Sequence, residues 1–221
     1  MSSIAVVGGH GKIALKLHPL LVEAGHTPIA LVRSEDYREE LERLGATMRV
    51  LDIENATLQD FEYALKGVDV VVFSAGGGPD GSIERKRTVD LEGSLSSQMA
   101  ASNLGIQRFI QVSAIRVDEP TPEDSSAVWE AYVDAKAQAD KALRASGLKW
   151  TILRPGQLTD KEPTGSIELG GQVDTGPITR GDVAAVIAAA IDNDATIGRQ
   201  WELVNGSVPI VQAIAEATAP R

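Results

Sequence analysis

The stretch that most constrains this chain is Ile4-Ala5-Val6-Val7-Gly8-Gly9-His10-Gly11-Lys12-Ile13-Ala14. An apolar, partly β-branched run reads as a buried parallel strand, and it breaks at once into glycines. Beyond them, Ile13, Leu17, Leu20 and Leu21 recur at helical spacing. Strand, glycine turn and helix form the context in which a G-x-G-x-x-G/A pattern carries meaning. Gly9, Gly11 and Ala14 satisfy it, and Gly8 adds the wider register Gly8-x-x-Gly11-x-x-Ala14. Small residues there permit a turn of free φ, backbone approach to a pyrophosphate, and close helix–strand packing. The helix N-terminus then presents open N–H groups and a positive dipole end. An ordinary glycine-rich turn would look the same, so the rest of the chain has to decide.

With 221 residues the chain is expected to form one domain, 1–221, with 155–178 as a small lobe on the substrate side. A net charge of -10 without a basic stripe argues against a nucleic-acid surface. The one basic cluster, Arg85-Lys86-Arg87, reads as a solvated helix face. No long apolar run and no signal-peptide pattern is visible, so no membrane role and a cytoplasmic location are expected. The absence of cysteine removes thiol and zinc-thiolate chemistry, and three scattered histidines make no metal site.

Thr27 to Val32 reads as a second strand, stopping at Arg33. In a Rossmann unit this position sees the adenosine ribose, where an acid takes the 2′-OH and an arginine a 2′-phosphate. Arg33 points to NADP(H), with Glu35 and Asp36 as competing acids for NAD(H). A third strand ends before Asp52 and Ile53, placed to meet the adenine or to cap a turn. A fourth, Val68 to Phe73, runs into Ser74, Ala75 and Gly76, small enough for a dinucleotide to lie on the backbone. Gly78 to Gly81 reads as a loop. The alternation predicts an α/β fold, a doubly wound parallel sheet with helices on both faces.

A long helix is predicted from Ile83 to Asn103, its apolar side Val89, Leu95, Met99 and Leu104. A fifth strand delivers Ser113 at its carboxyl end, where open α/β sheets place ligands. The helix from Val128 to Ala145 carries Tyr132 and Lys136, whose i, i+4 spacing stacks them on one face. A lysine ammonium and an oxidised nicotinamide would favour the phenolate of Tyr132, so that it can exchange a proton with a substrate oxygen. Ser113 could hydrogen-bond the same oxygen. A sixth strand ends in Arg154-Pro155-Gly156, and a small hairpin is expected around Gly165 to Val173.

Taken together, these segments resemble the short-chain dehydrogenase/reductase superfamily over nearly the whole chain. The nearer likeness is to its atypical NAD(P)-binding branch with an epimerase-like glycine pattern. The resemblance assigns Gly8, Gly11, Lys12, Ile13, Arg33, Asp52, Ile53, Ser74, Ala75, Gly76 and Pro155 to the cofactor. It assigns Ser113, Tyr132 and Lys136 to catalysis, with Asp90 where fuller members carry asparagine. It implies an NADP(H)-dependent oxidoreductase or epimerase, monomeric or homodimeric, acting on a small-molecule carbonyl or alcohol. Related branches are flavin or quinone reductases, and others are NADP(H)-sensing regulators that usually lack the Tyr–Lys pair.

Overall fold

The computed structural model describes residues 1–78 and 82–219, so the predicted loop at 78–81 lies, beyond Gly78, outside the described residues. The chain runs β1 (Ser3–Val7), α1 (Lys12–Glu23), β2 (Thr27–Val32), α2 (Arg38–Arg43), β3 (Thr47–Val50), α3 (Leu58–Ala64) and β4 (Val70–Phe73). It continues with α4 (Ile83–Arg85), a π-helical segment (Lys86–Glu92), α5 (Gly93–Asn103), β5 (Arg108–Val112), α6 (Ala127–Ala145) and β6 (Lys149–Pro155). Then come β7 (Gln157–Thr159), β8 (Ser166–Gly170), β9 (Pro177–Thr179), α7 (Arg180–Ile191), β10 (Arg199–Asn205), β11 (Val208–Pro209) and α8 (Ile210–Thr218).

The main sheet has the order β11-β8-β10-β6-β5-β4-β1-β2-β3, parallel from β10 to β3. Strand β1 sits between β2 and β4, so the chain winds outward from it in both directions and a crevice opens at its carboxyl end. Alternation along β1 sends Ile4 and Val6 to one face and Ala5 and Val7 to the other. The first face packs Ile13, Leu17 and Leu21 of α1 against Val183 and Ile187 of α7. The second gathers Phe61, Leu65, Phe109 and Leu143. The sheet is the doubly wound Rossmann arrangement, with helices on both faces.

Two segments depart from the sequence expectation. The stretch expected to fold on itself as a hairpin instead sends β8 into the main sheet, antiparallel to β10, while β7 pairs with β9 in a two-stranded sheet. Hairpins are local, and the partner that captures β8 lies some 35 residues further on, beyond the reach of local turn signals.

The helix predicted from Ile83 to Asn103 is interrupted by the π-helical turn, which widens the register and rotates everything after it. Val89 is buried as expected, but Met99 and Leu104 face outward at 54% and 41% exposure. The buried face of α5 is Ser94, Ser97, Gln98, Ala100 and Ala101. Its polar groups are satisfied internally. Ser94 Oγ donates to Gln111 Oε1 at 2.6 Å, and Gln98 Nε2 donates to the Ala139 carbonyl at 3.2 Å. Small, hydrogen-bonded side chains let α5 sit close to the sheet without an apolar stripe.

This register has a measurable consequence. Met99→Lys should shift unfolding free energy by no more than about 0.5 kcal/mol. Gln98→Leu, which leaves buried acceptors without a donor, should cost about 1–3 kcal/mol in urea denaturation. The opposite ranking would contradict the observed face.

Candidate functional site

The glycine turn after β1 is held from three sides. Gly9 N–H donates to the Leu31 carbonyl at 2.9 Å and Gly11 N–H to the Gly8 carbonyl at 2.8 Å. Gly8 has φ +79, and a Cβ there would lie 2.8 Å from Ala75 Cα. A Cβ on Gly9 would lie 2.6 Å from Ala30 Cβ. His18, on the second turn of α1 and fully buried, reaches back so that Nε2 sits 2.7 Å from the Gly9 carbonyl oxygen. Gly11 is the N-cap of α1 and offers no side-chain bond, so the first-turn N–H groups remain open.

Gly8, Gly11, Arg33, Asp52, Ile53, Ser74, Ala75 and Gly76 all line one groove of about 270 Å³ beside this turn. Arg33 is exposed and makes no ion pair among the described residues, whereas Glu35 and Asp36 lie outside the groove lining. Asp36 instead accepts a hydrogen bond from Ser34 Oγ at 2.7 Å, and Glu35 pairs with Arg38. Asp52 accepts from Asn55 Nδ2 at 2.7 Å, so it caps its own turn while lining the groove. A stacked pair that sequence reasoning missed, His10 on Tyr37 with centroids 3.8 Å apart, forms part of the wall. His10 counted only as a spacer between glycines, and nothing local marks its ring partner.

The groove shares Gly11, Ser74, Ala75 and Gly76 with a second cavity of about 1210 Å³, to which Lys12, Ile13 and Pro155 also belong. Lys12 turns toward Asp160 at 2.5 Å, and Asp160 also accepts from Arg180 at 2.7 Å. Ser113, Tyr132, Lys136 and Asp90 converge on this cavity. Lys136 Nζ lies 3.1 Å from Asp90 Oδ1 and donates to the Val112 carbonyl at 3.2 Å. Asp90 Oδ2 accepts the Gly77 N–H at 2.8 Å. Asp90 therefore ties the π-helical turn to both α6 and the strand-end glycines.

Burial and neighbouring charges act on both Tyr132 and Lys136. Burial, the largest influence, pushes the Tyr132 phenol above its ordinary value of 10.0, Lys136 opposes it, and Asp90 and Asp140 add to it. In this state Tyr132 is a neutral phenol. Burial works against the Lys136 ammonium, but Asp90, helped by Tyr132 and Asp140, outweighs it and raises its pKa.

Ser113 is engaged within the chain. Its hydroxyl donates to Asp140 Oδ2 at 2.8 Å, so its proton is committed away from the cavity. Asp140 is fully buried, accepts from Gln111 at 2.6 Å, and pairs with Arg154 at 2.8 Å. Arg154 continues to Asp118 at 2.7 Å. Asp140 was legible in principle, because it follows Tyr132 at i+8 and Lys136 at i+4 on the same helical face.

These features fit a dinucleotide. Ser74 lines both cavities, and its Oγ is buried without a hydrogen-bond partner among the described residues. Together with the open N–H groups of α1, it offers donors where phosphates and amides would seek them. Among the described residues no cluster of His, Asp or Glu is placed to hold a metal ion, and no helix is long and apolar enough to cross a membrane.

Burial holds His18 below its ordinary value of 6.5, against the pull of the Gly9 carbonyl. The unfolded chain therefore takes up this proton first as pH falls. The stability that neutral His18 provides is complete above about pH 6.5 and is lost below it, by at most about 1.4 kcal/mol per pH unit. Urea titrations between pH 7 and 5 should show this component in the wild type and not in His18→Gln. Equal slopes would remove His18 as the neutral anchor of the turn.

Residues 8–194 match the family described as NAD(P)H-binding. YhfK of Bacillus subtilis, named an uncharacterized sugar epimerase, is 34% identical over 212 residues, covering 96% of this chain and 98% of that protein. A solved structure from Bacillus halodurans, described as a candidate NAD-dependent epimerase/dehydratase, is 36% identical and superimposes with a TM-score of 0.91 over 98% of this chain and all of that one. The oxidoreductase ylbE of Lactococcus lactis is 27% identical with a TM-score of 0.85, over 97% of this chain and 95% of that one. With its glycine turn, its β1–β4 crevice and a match over most of its length, the chain belongs to the NAD(P)H-binding family of atypical, short-chain-dehydrogenase-like Rossmann proteins.

Proposed function

We propose that the chain is an NADP(H)-dependent oxidoreductase or epimerase-type enzyme acting on a small carbonyl or alcohol. The observation that carries this reading is continuity. One groove runs from the Arg33 end past Ser74 to a cavity holding Tyr132, Lys136 and Ser113. In this reading the backbone of Gly8, Gly11, Lys12 and Ile13 holds the pyrophosphate, and Arg33 takes the 2′-phosphate. Asp52 and Ile53 border the adenine, while Ser74, Ala75, Gly76 and Pro155 flank the nicotinamide. When bound, that ring supplies or accepts the hydride.

The chain's own groups handle the proton. Tyr132, kept neutral by burial, is poised as an acid toward a carbonyl oxygen. As the phenol gives up its proton, the charge that develops is stabilised by the Lys136 ammonium, itself fixed by Asp90. Ser113, donating to Asp140, presents lone pairs and accepts a hydrogen bond from a substrate hydroxyl. The names of the relatives, epimerase and oxidoreductase, are in keeping with this chemistry.

A second reading, an NADPH-dependent flavin or quinone reductase, has one observation in its favour. Ser113 does not donate into the cavity, whose wall includes Ile115, Val128, Trp129 and Leu158. Such a reaction needs no phenolic acid.

Tyr132→Phe separates the two. It should lower carbonyl turnover by about 10²–10⁴-fold while leaving NADPH affinity nearly unchanged. Full activity with carbonyl substrates would remove the role given to Tyr132, and activity surviving only with flavin or quinone would favour the second reading. Arg33→Ala should weaken NADPH binding by roughly tenfold or more and spare NADH. Equal binding of NADH and NADPH by the wild type would overturn the assignment of Arg33.

A further inference from the structure

In the basic triplet Arg85-Lys86-Arg87, Arg87 is exposed as its sequence suggests, whereas Lys86 is not. Arg85 pairs with Glu54, and Arg87 with Glu84 and Glu92. Lys86 opens the π-helical segment and turns inward, with 6% of its surface exposed. Its Nζ donates to the Gly78 carbonyl and stands 5.8 Å from the centre of the Tyr132 ring. Lys136 Nζ lies 5.9 Å from the same centre, so two ammonium groups attend one phenol ring.

Their charges are balanced differently. Among the described residues lining the cavity, Lys12, Lys86, Lys136 and Arg180 are cationic and Asp90 is the carboxylate. Asp90 answers Lys136, and Asp160 answers both Lys12 and Arg180. Among the described residues no carboxylate lies within ion-pairing distance of Lys86. A lysine ammonium carries three donors, and the Gly78 carbonyl takes one. A buried cation without a counter-charge is costly, and an anion entering the cavity would relieve that cost. This positive patch belongs to a protein whose net charge is -10, so it is local and aimed.

Resting on the oxidoreductase reading above, we infer that the substrate is a small carbonyl compound bearing a carboxylate, and that Lys86 pairs with that carboxylate while the carbonyl faces Tyr132. A single lysine is a point charge suited to a monoanion, whereas a phosphate calls for several convergent donors. The neighbouring Val128, Trp129 and Tyr132 supply an apolar, partly aromatic wall for the body of such a molecule. Lys86 thereby becomes a determinant of specificity, outside the groove at the Arg33 end, whose lining does not include it.

The test is a calorimetric titration with two probes of one framework, 4-carboxybenzaldehyde, an anion, and its neutral methyl ester, methyl 4-formylbenzoate, with and without NADP+. The wild type should bind the carboxylate at least about tenfold more tightly than the ester. Lys86→Met, similar in length and free of charge, should bring the two within about twofold, and Lys86→Arg should retain the preference. NADPH affinity in Lys86→Met should stay within about twofold of the wild type. Equal or absent binding of both probes by the wild type would overturn the inference, as would a preference that survives in Lys86→Met. A loss of NADPH affinity of about tenfold would also overturn it, by assigning Lys86 to the cofactor. Carboxylate-selective, Lys86-dependent binding without NADPH oxidation would support the inference and remove the hydride-transfer reading instead.

Discussion

The arrangement depends on how closely three strands approach one another where β1 ends. Neither Gly8 nor Gly9 can carry a Cβ, because Ala75 and Ala30 already occupy that space. Ala75 follows β4 and Ala30 lies within β2, so the absence of side chains just after β1 lets both neighbours approach. The crevice at the switch point, the open N-terminus of α1 and the exposed backbone of Ser74 to Gly76 all follow from this approach. His18 secures it from the helix side by holding the Gly9 carbonyl in the buried interior.

A second constraint organises the chemistry. Helix α6 presents Tyr132, Lys136 and Asp140 at successive turns, and each is set by a different partner. Asp90 holds Lys136, burial keeps Tyr132 protonated, and Asp140 accepts the Ser113 hydrogen bond while Arg154 balances its charge. The site is therefore more constrained than three residues at a strand end and on a helix would imply. Removing Asp140 would leave Arg154 as a buried cation with one half-exposed partner, Asp118, so this pair couples the geometry of Ser113 to local stability.

Much of the frame was legible because its signals are local. The β1–glycine–α1 unit, β2 ending at Val32, β5 ending at Val112 and the long α6 each follow from periodicity and from glycines that end helices, such as Gly25 and Gly147 with positive φ. What escaped depends on contacts made at a distance. The pairing of β8 with β10, the polar buried face of α5 and the stacking of His10 on Tyr37 are all tertiary. The π-helical turn is the most consequential, since it carries Lys86 from a predicted solvated face into the cavity and sets Asp90 against Lys136. Periodicity at 3.6 residues cannot register such a turn. The candidate site shows the same division. Tyr132 and Lys136 were visible as a spaced pair, whereas the commitment of Ser113 to Asp140 exists only once β5, α6 and β6 are packed together.

The central claim is that the β1 crevice seats a dinucleotide whose reactive ring faces Tyr132. A crystal structure of the protein with NADP(H) tests it most directly. The account predicts a pyrophosphate against the backbone of Gly8 to Ile13, the adenosine phosphate at Arg33, a hydrogen bond from Ser74 and the nicotinamide beside Tyr132. A dinucleotide bound elsewhere, or a crevice left empty at saturating NADP(H), would contradict it.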